Sequence, residues 1–373
     1  NIDRYICKIV QLIRYILTFY LLLDSPYNSP MYEMNTTASQ RLDIVDSLSR
    51  KEVGELAANR NIKYLQFSGP LSSATYDLLN SDFFNLRPEV QLRCYGFYKQ
   101  ACDLSFLNLM PNLVNFSADC LHGQVINIES LALLPNLKHL AIGMWEIENL
   151  DILSRVPSSL LSLSIDQTKS AKPDLSVLGR FKELDRLYLE KHAKNIEVIS
   201  ELPKLTKITL RSVSTKDISF LLPLKQTLLS LEIKLGGLSD LSLLEGFEQL
   251  TYLELWQIRG LEDISFISSL TGLEKLKLES LRNVRSLPPL RRLENLKNIE
   301  LGNMKGLQDV STLSEAPVLE SLLHWSAENM DVSDYDSLLN SDSLKDVQVF
   351  FGSVRKNDEF KKLAASRGKF TNG

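Results

Sequence analysis

Residues 250–273 read LTYLELWQIRGLEDISFISSLTGL, and this stretch decides the fold of the chain. Its opening frame, Leu-x-x-Leu-x-Leu, returns about every 23 residues between residues 100 and 350. Apolar side chains at the fourth and sixth positions, here Leu253 and Leu255, alternate with mostly polar ones, which indicates a short strand with one buried face. The frame begins at Leu113, Leu137, Leu160, Leu184, Leu205, Leu228, Leu250, Leu273, Leu296, Leu319 and Leu344.

A second signal precedes most frames by about ten residues. An acidic or small polar residue stands there, and its side-chain oxygen can accept a free backbone N–H at the start of a helical turn. Each repeat is therefore predicted to contain a strand, a bend and a capped helical or 3-10 turn. The predicted caps are Asp103, Asn127, Asp151, Asp174, Asn195, Asp217, Asp240, Asp263, Ser286, Asp309 and Asp334.

Repeats of this length predict a solenoid, because a single unit is too small to bury its own leucines and must stack on its neighbours. Parallel strands repeat at about 4.8 Å, and the turns opposite them are bulkier. The sequence therefore predicts an α/β fold that is curved, with a parallel sheet on the concave face and short turns on the convex face.

These features make the chain resemble the leucine-rich repeat family. Returns such as Asp217-Ile-Ser-Phe-Leu221 are most similar to those of the internalin and phosphatase-regulatory-subunit type, whose repeats have about 22 residues. The resemblance covers residues 100–350 and implies a horseshoe-shaped solenoid. The chain departs from the family pattern at the bend, where the usual asparagine is replaced by residues such as Trp145, Ile258 and Met304.

Four segments are expected along the chain. Residues 1–39 are predicted to be an N-terminal amphipathic segment and linker, and residues 40–100 irregular capping repeats. Residues 101–350 are the leucine-rich repeats. Residues 351–373 are predicted to form a C-terminal capping helix that covers the last strand, because an uncovered edge strand invites pairing with other chains.

The first segment has three interpretations. Residues 2–23 are apolar with Arg4, Lys8 and Arg14 on one side, as in a basic amphipathic helix. This segment is either a membrane or export signal, a packing helix, or a stretch that precedes the true start at Met31 or Met34. It is the only segment through which membrane contact is expected.

Composition argues for a soluble chain without a nucleic-acid partner or cofactor. The 373 residues carry a formal net charge of −4, whereas nucleic-acid binding favours a basic field. No Cys-x-x-Cys pair is present, so no metal site is predicted. Cys94, Cys102 and Cys120 fall in neighbouring early repeats and are expected either to be reduced, buried thiols or to include a disulfide.

No catalytic constellation is expected. The four histidines do not form a motif, and His324 occupies a strand leucine position, which favours a packed core histidine. The recurring Asp-x-Ser is interpreted as a helix cap and not as a nucleophile pair. The chain is therefore predicted not to be an enzyme.

The candidate site is the outward face of the central strands, at frame positions three, five and seven. Tyr, Trp and Arg, which anchor protein interfaces, are interleaved there with Lys and Glu. The alternative is a solvated face of cross-strand ion pairs without a partner. The candidate partner-binding residues are Arg186, Tyr188, Glu190, Arg211, Lys234, Tyr252, Glu254, Trp256, Lys275, Lys277, Glu279, Glu300 and Trp325.

The sequence thus predicts a non-enzymatic scaffold for protein–protein interaction, monomeric and cytoplasmic, that binds a protein partner on the concave sheet face. The alternative is a membrane-attached or secreted surface protein that uses residues 1–23 for targeting and binds a host or cell-surface partner.

Overall fold

The computed structural model describes residues 40–98, 100–121, 123–170 and 173–369. The predicted amphipathic segment at residues 2–23 lies outside these ranges. Two compact units divide the chain, the first ending at Glu146 and the second beginning at Ile147. Neither this division nor any other finding tests the four predicted segment boundaries, which stay predictions.

The described part of the first unit has a parallel sheet in the order β1-β2-β3-β5-β7, and a separate parallel pair formed by β4 and β6. Its strands are β1 (Arg41–Asp43), β2 (Tyr64–Phe67), β3 (Gln91–Tyr95), β4 (Cys102–Asp103), β5 (Asn115–Cys120), β6 (Val125–Ile126) and β7 (His139–Met144). Its helices are α1 (Arg50–Ala58) and α2 (Ser73–Leu78), the π-helical turn Leu79–Phe84, and the 3-10 turns Leu104–Leu109 and Ile128–Leu133.

The described part of the second unit has consecutive parallel strands in chain order. These are β8 (Ser162–Ile165), β9 (Arg186–Glu190), β10 (Lys207–Arg211), β11 (Ser230–Lys234), β12 (Tyr252–Trp256), β13 (Lys275–Glu279), β14 (Asn298–Gly302), β15 (Ser321–Trp325) and β16 (Asp346–Val349). The 3-10 turns are Asp151–Ser154, Leu175–Arg180, Ile196–Glu201, Ser219–Leu224, Ser242–Leu244, Ser265–Ser269, Ser311–Glu315 and Val332–Tyr335, and the helices are α3 (Asp336–Leu339) and α4 (Val354–Ser366).

The predicted leucine stack is confirmed within the second unit. Leu253 of β12 pairs in register with Leu231 on one side and Leu276 on the other, and Leu276 pairs with Ile299. All four side chains are at most 1% exposed. Since side chains alternate across a strand, this register places the neighbouring polar residues on the opposite face.

Most predicted caps are confirmed where Asp is followed two residues later by Ser. In the turn after β12, Asp263 Oδ1 accepts the backbone N–H of Ser265 at 2.8 Å. Asp103, Asp174, Asp217, Asp240 and Asp309 accept the equivalent N–H at 2.8–2.9 Å. In each of these turns, the same Asp side chain therefore accepts a backbone N–H that has no partner within the turn.

Five predicted caps are wrong. Asn127 and Asn195 adopt a left-handed conformation and make no side-chain cap, and their amides donate instead to Asp103 and Asp174. The other three have local reasons. Asp334 lies inside its turn, where it closes a capping box begun by Asp331. The backbone N–H of Asp151 donates to Asn149 Oδ1, so Asn149 and not Asp151 supplies the side-chain acceptor of that turn. Ser286 opens no helical turn and instead forms a bridge with Asp309, because Pro288 and Pro289 follow and lack the N–H groups that a turn would use.

In the bend after the strands, backbone hydrogen bonds take the place of the missing asparagine side chains. One residue after strand β11, Leu235 adopts a positive φ of 57°, and its N–H donates to the Trp256 carbonyl at 2.8 Å. Ser280 after β13 repeats this with φ 55° and a 2.8 Å bond to Gly302 O. Lys191, Ser212, Gln257, Asn303 and Ser326 share the left-handed conformation.

Helices near both ends begin at side-chain caps. Ser49 and Glu52 form a capping box at the start of α1. The C-terminal helix α4 begins at Val354, because Ser353 supplies the cap. Its glycine stop is Gly368, with φ 72°.

Candidate functional site

All thirteen candidate residues lie on one face of strands β9–β15 in the second unit, which we call the polar sheet face. In-register pairing brings them side by side. The central row runs from Glu232 through Glu254 and Lys277 to Glu300, each directly opposite the next. The sequence prediction of their common face is therefore correct, whereas their role in binding stays a prediction.

Lysines and glutamates alternate across the middle of the polar sheet face. Lys234 Nζ lies 2.7 Å from Glu232 Oε2 and 3.1 Å from Glu254 Oε2. Lys277 Nζ contacts the other oxygen of Glu254 at 3.0 Å, and Lys207 Nζ contacts Glu232 Oε1 at 2.9 Å. Each of these two carboxylates therefore sits between two ammonium groups from different residues.

The same pattern continues on both sides of this centre. On β10, Arg211 pairs with Glu190 at 3.3 Å, and its guanidinium lies 5.5 Å from the centre of the Trp256 ring. A cation over an aromatic face is attracted by the ring quadrupole. On β13, Lys275 pairs with Glu300 at 2.5 Å. The face is thus held together laterally by ion pairs and one cation–π contact.

Four candidate residues are covered by their neighbours, which the sequence did not reveal. Glu254 is 3% exposed, Lys277 4%, Glu279 6% and Trp256 9%. Strands about 4.8 Å apart crowd long side chains, and lysine stems shield the groups beneath them. These four residues are packed within the face, so direct contact with a partner would require their neighbours to move.

Other candidates remain accessible. The Arg186 side chain is 62% exposed and that of Lys275 is 41% exposed. Tyr188 and Tyr252 are partly exposed, and each hydroxyl donates to a glutamate on its own strand.

Near β16 this face carries three apolar side chains among polar ones. Leu323, Trp325 and Phe350 are all partly exposed, and we call them the apolar patch. The Trp325 indole lies against Gly302, where a methyl group would overlap the ring. Glycine at this position therefore lets a large aromatic ring lie flat on the sheet.

The pKa values of the Glu279 and Glu232 carboxyl groups are shifted in opposite directions. Burial raises the pKa of Glu279 to about 7, and nearby Glu254 adds to this, although Lys277 opposes it. Burial also acts to raise the pKa of Glu232, but Lys234 and Lys207 outweigh it and the pKa is lowered. Glu279 and Glu232 therefore lie on the same face but have pKa shifts of opposite sign.

Glu279→Gln is expected to stabilise the protein at pH 8 and to have little effect near pH 4. The folded pKa of Glu279 lies above its unfolded value, so ionisation costs stability as the pH rises towards 7. A neutral glutamine avoids that cost, which we expect to be on the order of 1–3 kcal/mol. Urea unfolding at several pH values measures it.

Glu232→Gln is the matched control and should behave in the opposite way. The lowered pKa means that the Glu232 carboxylate contributes stability above its unfolded pKa and loses it as the pH falls. This variant should therefore be less stable than the parent at pH 8, with a difference that shrinks on acidification. Identical pH profiles for the two variants would contradict the assigned environments.

Two of the histidines are buried in the second unit. His324 is fully buried, as predicted, and its Nδ1 lies 2.7 Å from the Tyr335 hydroxyl. Burial lowers its pKa to about 4. His192 is also fully buried, and its Nε2 lies 3.0 Å from the Asp166 carbonyl oxygen. These rings serve packing and internal hydrogen bonding.

The three cysteines that the sequence places in neighbouring repeats of the first unit form a cluster, as the reduced and buried thiols of the first of the two expected alternatives. The sulfur atoms of Cys94, Cys102 and Cys120 all lie within 4.8 Å of one another, and each thiol is free and buried. Cys94 and Cys120 are separated by 26 positions, close to one repeat, and this spacing was the available signal that they lie on adjacent strands.

Comparison with known proteins gives relatives by structure alone. No model of a known protein family matches the chain, and no curated protein matches it in sequence. An internalin from Listeria monocytogenes is similar with a TM-score of 0.56 and 23% identity, over 82% of this chain and 86% of that one. A leucine-rich-repeat protein from Leptospira interrogans gives a TM-score of 0.52 at 14% identity, over 91% and 97% of the two chains.

These likenesses and the repeated parallel strands confirm the predicted fold, a leucine-rich-repeat solenoid. In the part of the chain that the structure describes, no helix combines the length and hydrophobicity needed to cross a membrane. The predicted monomeric state and cytoplasmic location stay predictions.

Proposed function

We propose that this leucine-rich-repeat solenoid is a non-enzymatic protein-binding module whose partner docks on the polar sheet face. The observation that carries the proposal is the apolar patch of Leu323, Trp325 and Phe350, which is partly exposed at one end of a face otherwise occupied by paired charges. A partly exposed tryptophan beside other apolar groups is typical of an interface anchor. The sequence predicts that this face is the concave one.

Electrostatics of the face support a protein partner. The buried carboxylates already form ion pairs with lysines, so a partner that covers them would not leave a buried charge without a counter-ion. The exposed cations Arg186 and Lys275 lie at the rim, where charges mainly affect the association rate and selectivity. Binding energy would then come chiefly from Trp325 and Tyr252.

Internal pairing also supports a non-enzymatic role. The glutamates and lysines at the centre of the face neutralise one another, and Tyr188 and Tyr252 donate their hydroxyls to glutamates. These hydrogen bonds and ion pairs are made within the face, which supports a structural role for its charged groups. The absence of enzymatic activity is part of the proposal.

Replacing both Tyr252 and Trp325 by alanine is expected to weaken partner capture by about 2 kcal/mol or more, roughly 30-fold. Both side chains are partly exposed, so their loss should leave the leucine core intact. Affinity purification with quantitative mass spectrometry identifies the partner, and titration of the purified pair gives the affinity.

The matched control is Tyr98→Ala with Val354→Ala, which removes two residues that are 69% and 65% exposed and belong to none of the strands β9–β15. This variant should retain the parent affinity. Equal capture by the Tyr252/Trp325 variant and the parent, with circular dichroism showing both folded, would count against this docking face.

A further inference from the structure

The three cysteines of the first unit form a compact sulfur cluster that does not depend on the proposed partner site. Cys102 Sγ lies 3.6 Å from Cys94 Sγ, and all three sulfurs lie within 4.8 Å of one another. All three residues have no exposed surface. The thiols otherwise make only weak contacts, from Cys94 to Ser117 O at 3.7 Å and from Cys120 to Cys94 O at 4.0 Å.

The fold itself creates this juxtaposition. Cys94 on β3 and Cys120 on β5 both point into the core, two positions apart in the register of adjacent strands. Cys102 begins the separate strand pair of β4 with β6, and its sulfur reaches that of Cys94. Three sulfurs thus converge from three different strands without any short sequence motif.

The spacing of the sulfurs fits coordination of one ion. A metal–thiolate bond of about 2.3 Å places three sulfurs around one ion roughly 4 Å apart. The observed separations, 3.6 Å for one pair and at most 4.8 Å for the others, bracket that value. A disulfide instead requires two sulfurs at about 2.05 Å and leaves the third unused.

The donors select a soft ion. Thiolate and thioether sulfur favour Cu(I), whereas structural zinc is almost always held by four ligands. Among the described residues, the metal-ligating cluster of His, Cys, Asp and Glu here contains only the three cysteines. The next residue in register with Cys120 is Met144, which is buried and offers a further soft sulfur on β7.

We propose that Cys94, Cys102 and Cys120 form a binding site for a soft, thiophilic metal ion, with Cu(I) as the ion that fits best. Cu(I) accepts three sulfur ligands, and its charge offsets that of thiolates which burial would otherwise disfavour. Binding forms Cu–S bonds and releases thiol protons to solvent, and no electron is transferred. Affinity should therefore increase with pH.

The test uses the full chain, reduced with a phosphine under anaerobic conditions and titrated with Cu(I) against the competing chelator bicinchoninate. We expect one Cu(I) per chain, retained against the chelator. X-ray absorption should show three sulfur neighbours at about 2.2–2.3 Å. Because this measurement uses the unmodified protein, it does not depend on whether a variant folds.

Substitutions then assign the ligands. Cys94→Ser, Cys102→Ser and Cys120→Ser should each weaken Cu(I) binding at least 100-fold, and the corresponding alanine variants guard against misfolding caused by a buried hydroxyl. Cys7→Ser is the matched control, since it removes the fourth cysteine of the chain and leaves the three sulfurs of the cluster in place, and it should bind as the parent does.

Several results would overturn the proposal. Failure of the reduced parent to hold Cu(I) against bicinchoninate would show that the cysteines are packing thiols. Retained affinity in folded variants of the three cysteines would place the ion elsewhere, as would a loss caused by Cys7→Ser. A disulfide between two of the three in the native protein, with no Cu(I) binding after reduction, would assign the cluster to redox pairing.

Discussion

Replacing Leu253 by alanine is expected to lower the free energy of unfolding of the second unit by about 2–5 kcal/mol. Leu253 has no exposed surface and lies between Leu231 and Leu276 in the stacked core. Neighbouring repeats fix the backbone on both sides, so the space left by the missing methyl groups should collapse only in part. Urea unfolding followed by fluorescence measures the change, because Trp256 and Trp325 both lie in this unit.

Leu229→Ala is the matched control for this experiment. It removes the same atoms from a leucine of the neighbouring repeat that is 42% exposed. We expect a loss of no more than about 1 kcal/mol, as for most partly exposed positions. If the two alanine variants lost stability equally, the stacked leucines would not be what holds the repeats together.

Arg87→Met is expected to destabilise the first unit by about 3–5 kcal/mol, because it removes a buried cation that serves several acceptors. Arg87 is 1% exposed. Its guanidinium donates to the carbonyls of Ala57, Asn59 and Ile62 at 2.9–3.2 Å, and its Nε lies 2.5 Å from Glu89 Oε1. These carbonyls end α1 and lead into β2, where helix-terminal acceptors have no partner within the helix.

Methionine preserves much of the arginine volume, so the expected loss reports the hydrogen bonds and charge more than a cavity. Hydrogen exchange measured on peptides from α1 and β2 should detect the loss within this unit. Arg50→Met is the matched control: Arg50 pairs with Asp82 at 3.3 Å, but its side chain is 77% exposed. Such a surface pair is worth at most about 1 kcal/mol, so equal effects of the two variants would refute the structural role of Arg87.

The repeat could be predicted from sequence because its signals are local and periodic. The spacing of leucines fixes which face of each strand is buried, and pairs such as Asp263 and Ser265 act within one turn. Prediction failed where a neighbouring residue competed for the same role, as when Asp331 replaced Asp334 as the cap. Pro288 and Pro289 show the other cause, since they remove a turn that the spacing alone suggested.

The sequence predicts which residues share the candidate face, but not how deeply each of them is buried. Frame position alone places Glu254 and Lys277 on the polar side of adjacent strands. Their exposure of 3–4% depends on how long side chains from several strands cover one another, which periodicity does not encode. For this reason Trp256, an anchor by residue type, is largely covered, whereas Trp325 stays partly exposed beside Gly302.

Contacts between residues far apart in the chain were the hardest to predict from the sequence. Arg87 reaches carbonyls 25 to 30 residues away, and no local pattern distinguishes it from a surface arginine. The three sulfurs of the cysteine cluster meet only because β4 leaves the main sheet of the first unit. Both features follow from irregular early repeats, where the periodic signal is weakest.

The measurement that tests the docking face most directly is hydroxyl-radical footprinting of the chain with and without its captured partner. Oxidation of Tyr252 and Trp325 should fall on complex formation, because the partner covers them, while oxidation of Tyr98 should not change. Protection of Tyr98 with unchanged oxidation of Tyr252 and Trp325 would place the partner on the first unit and contradict the proposed role of the polar sheet face.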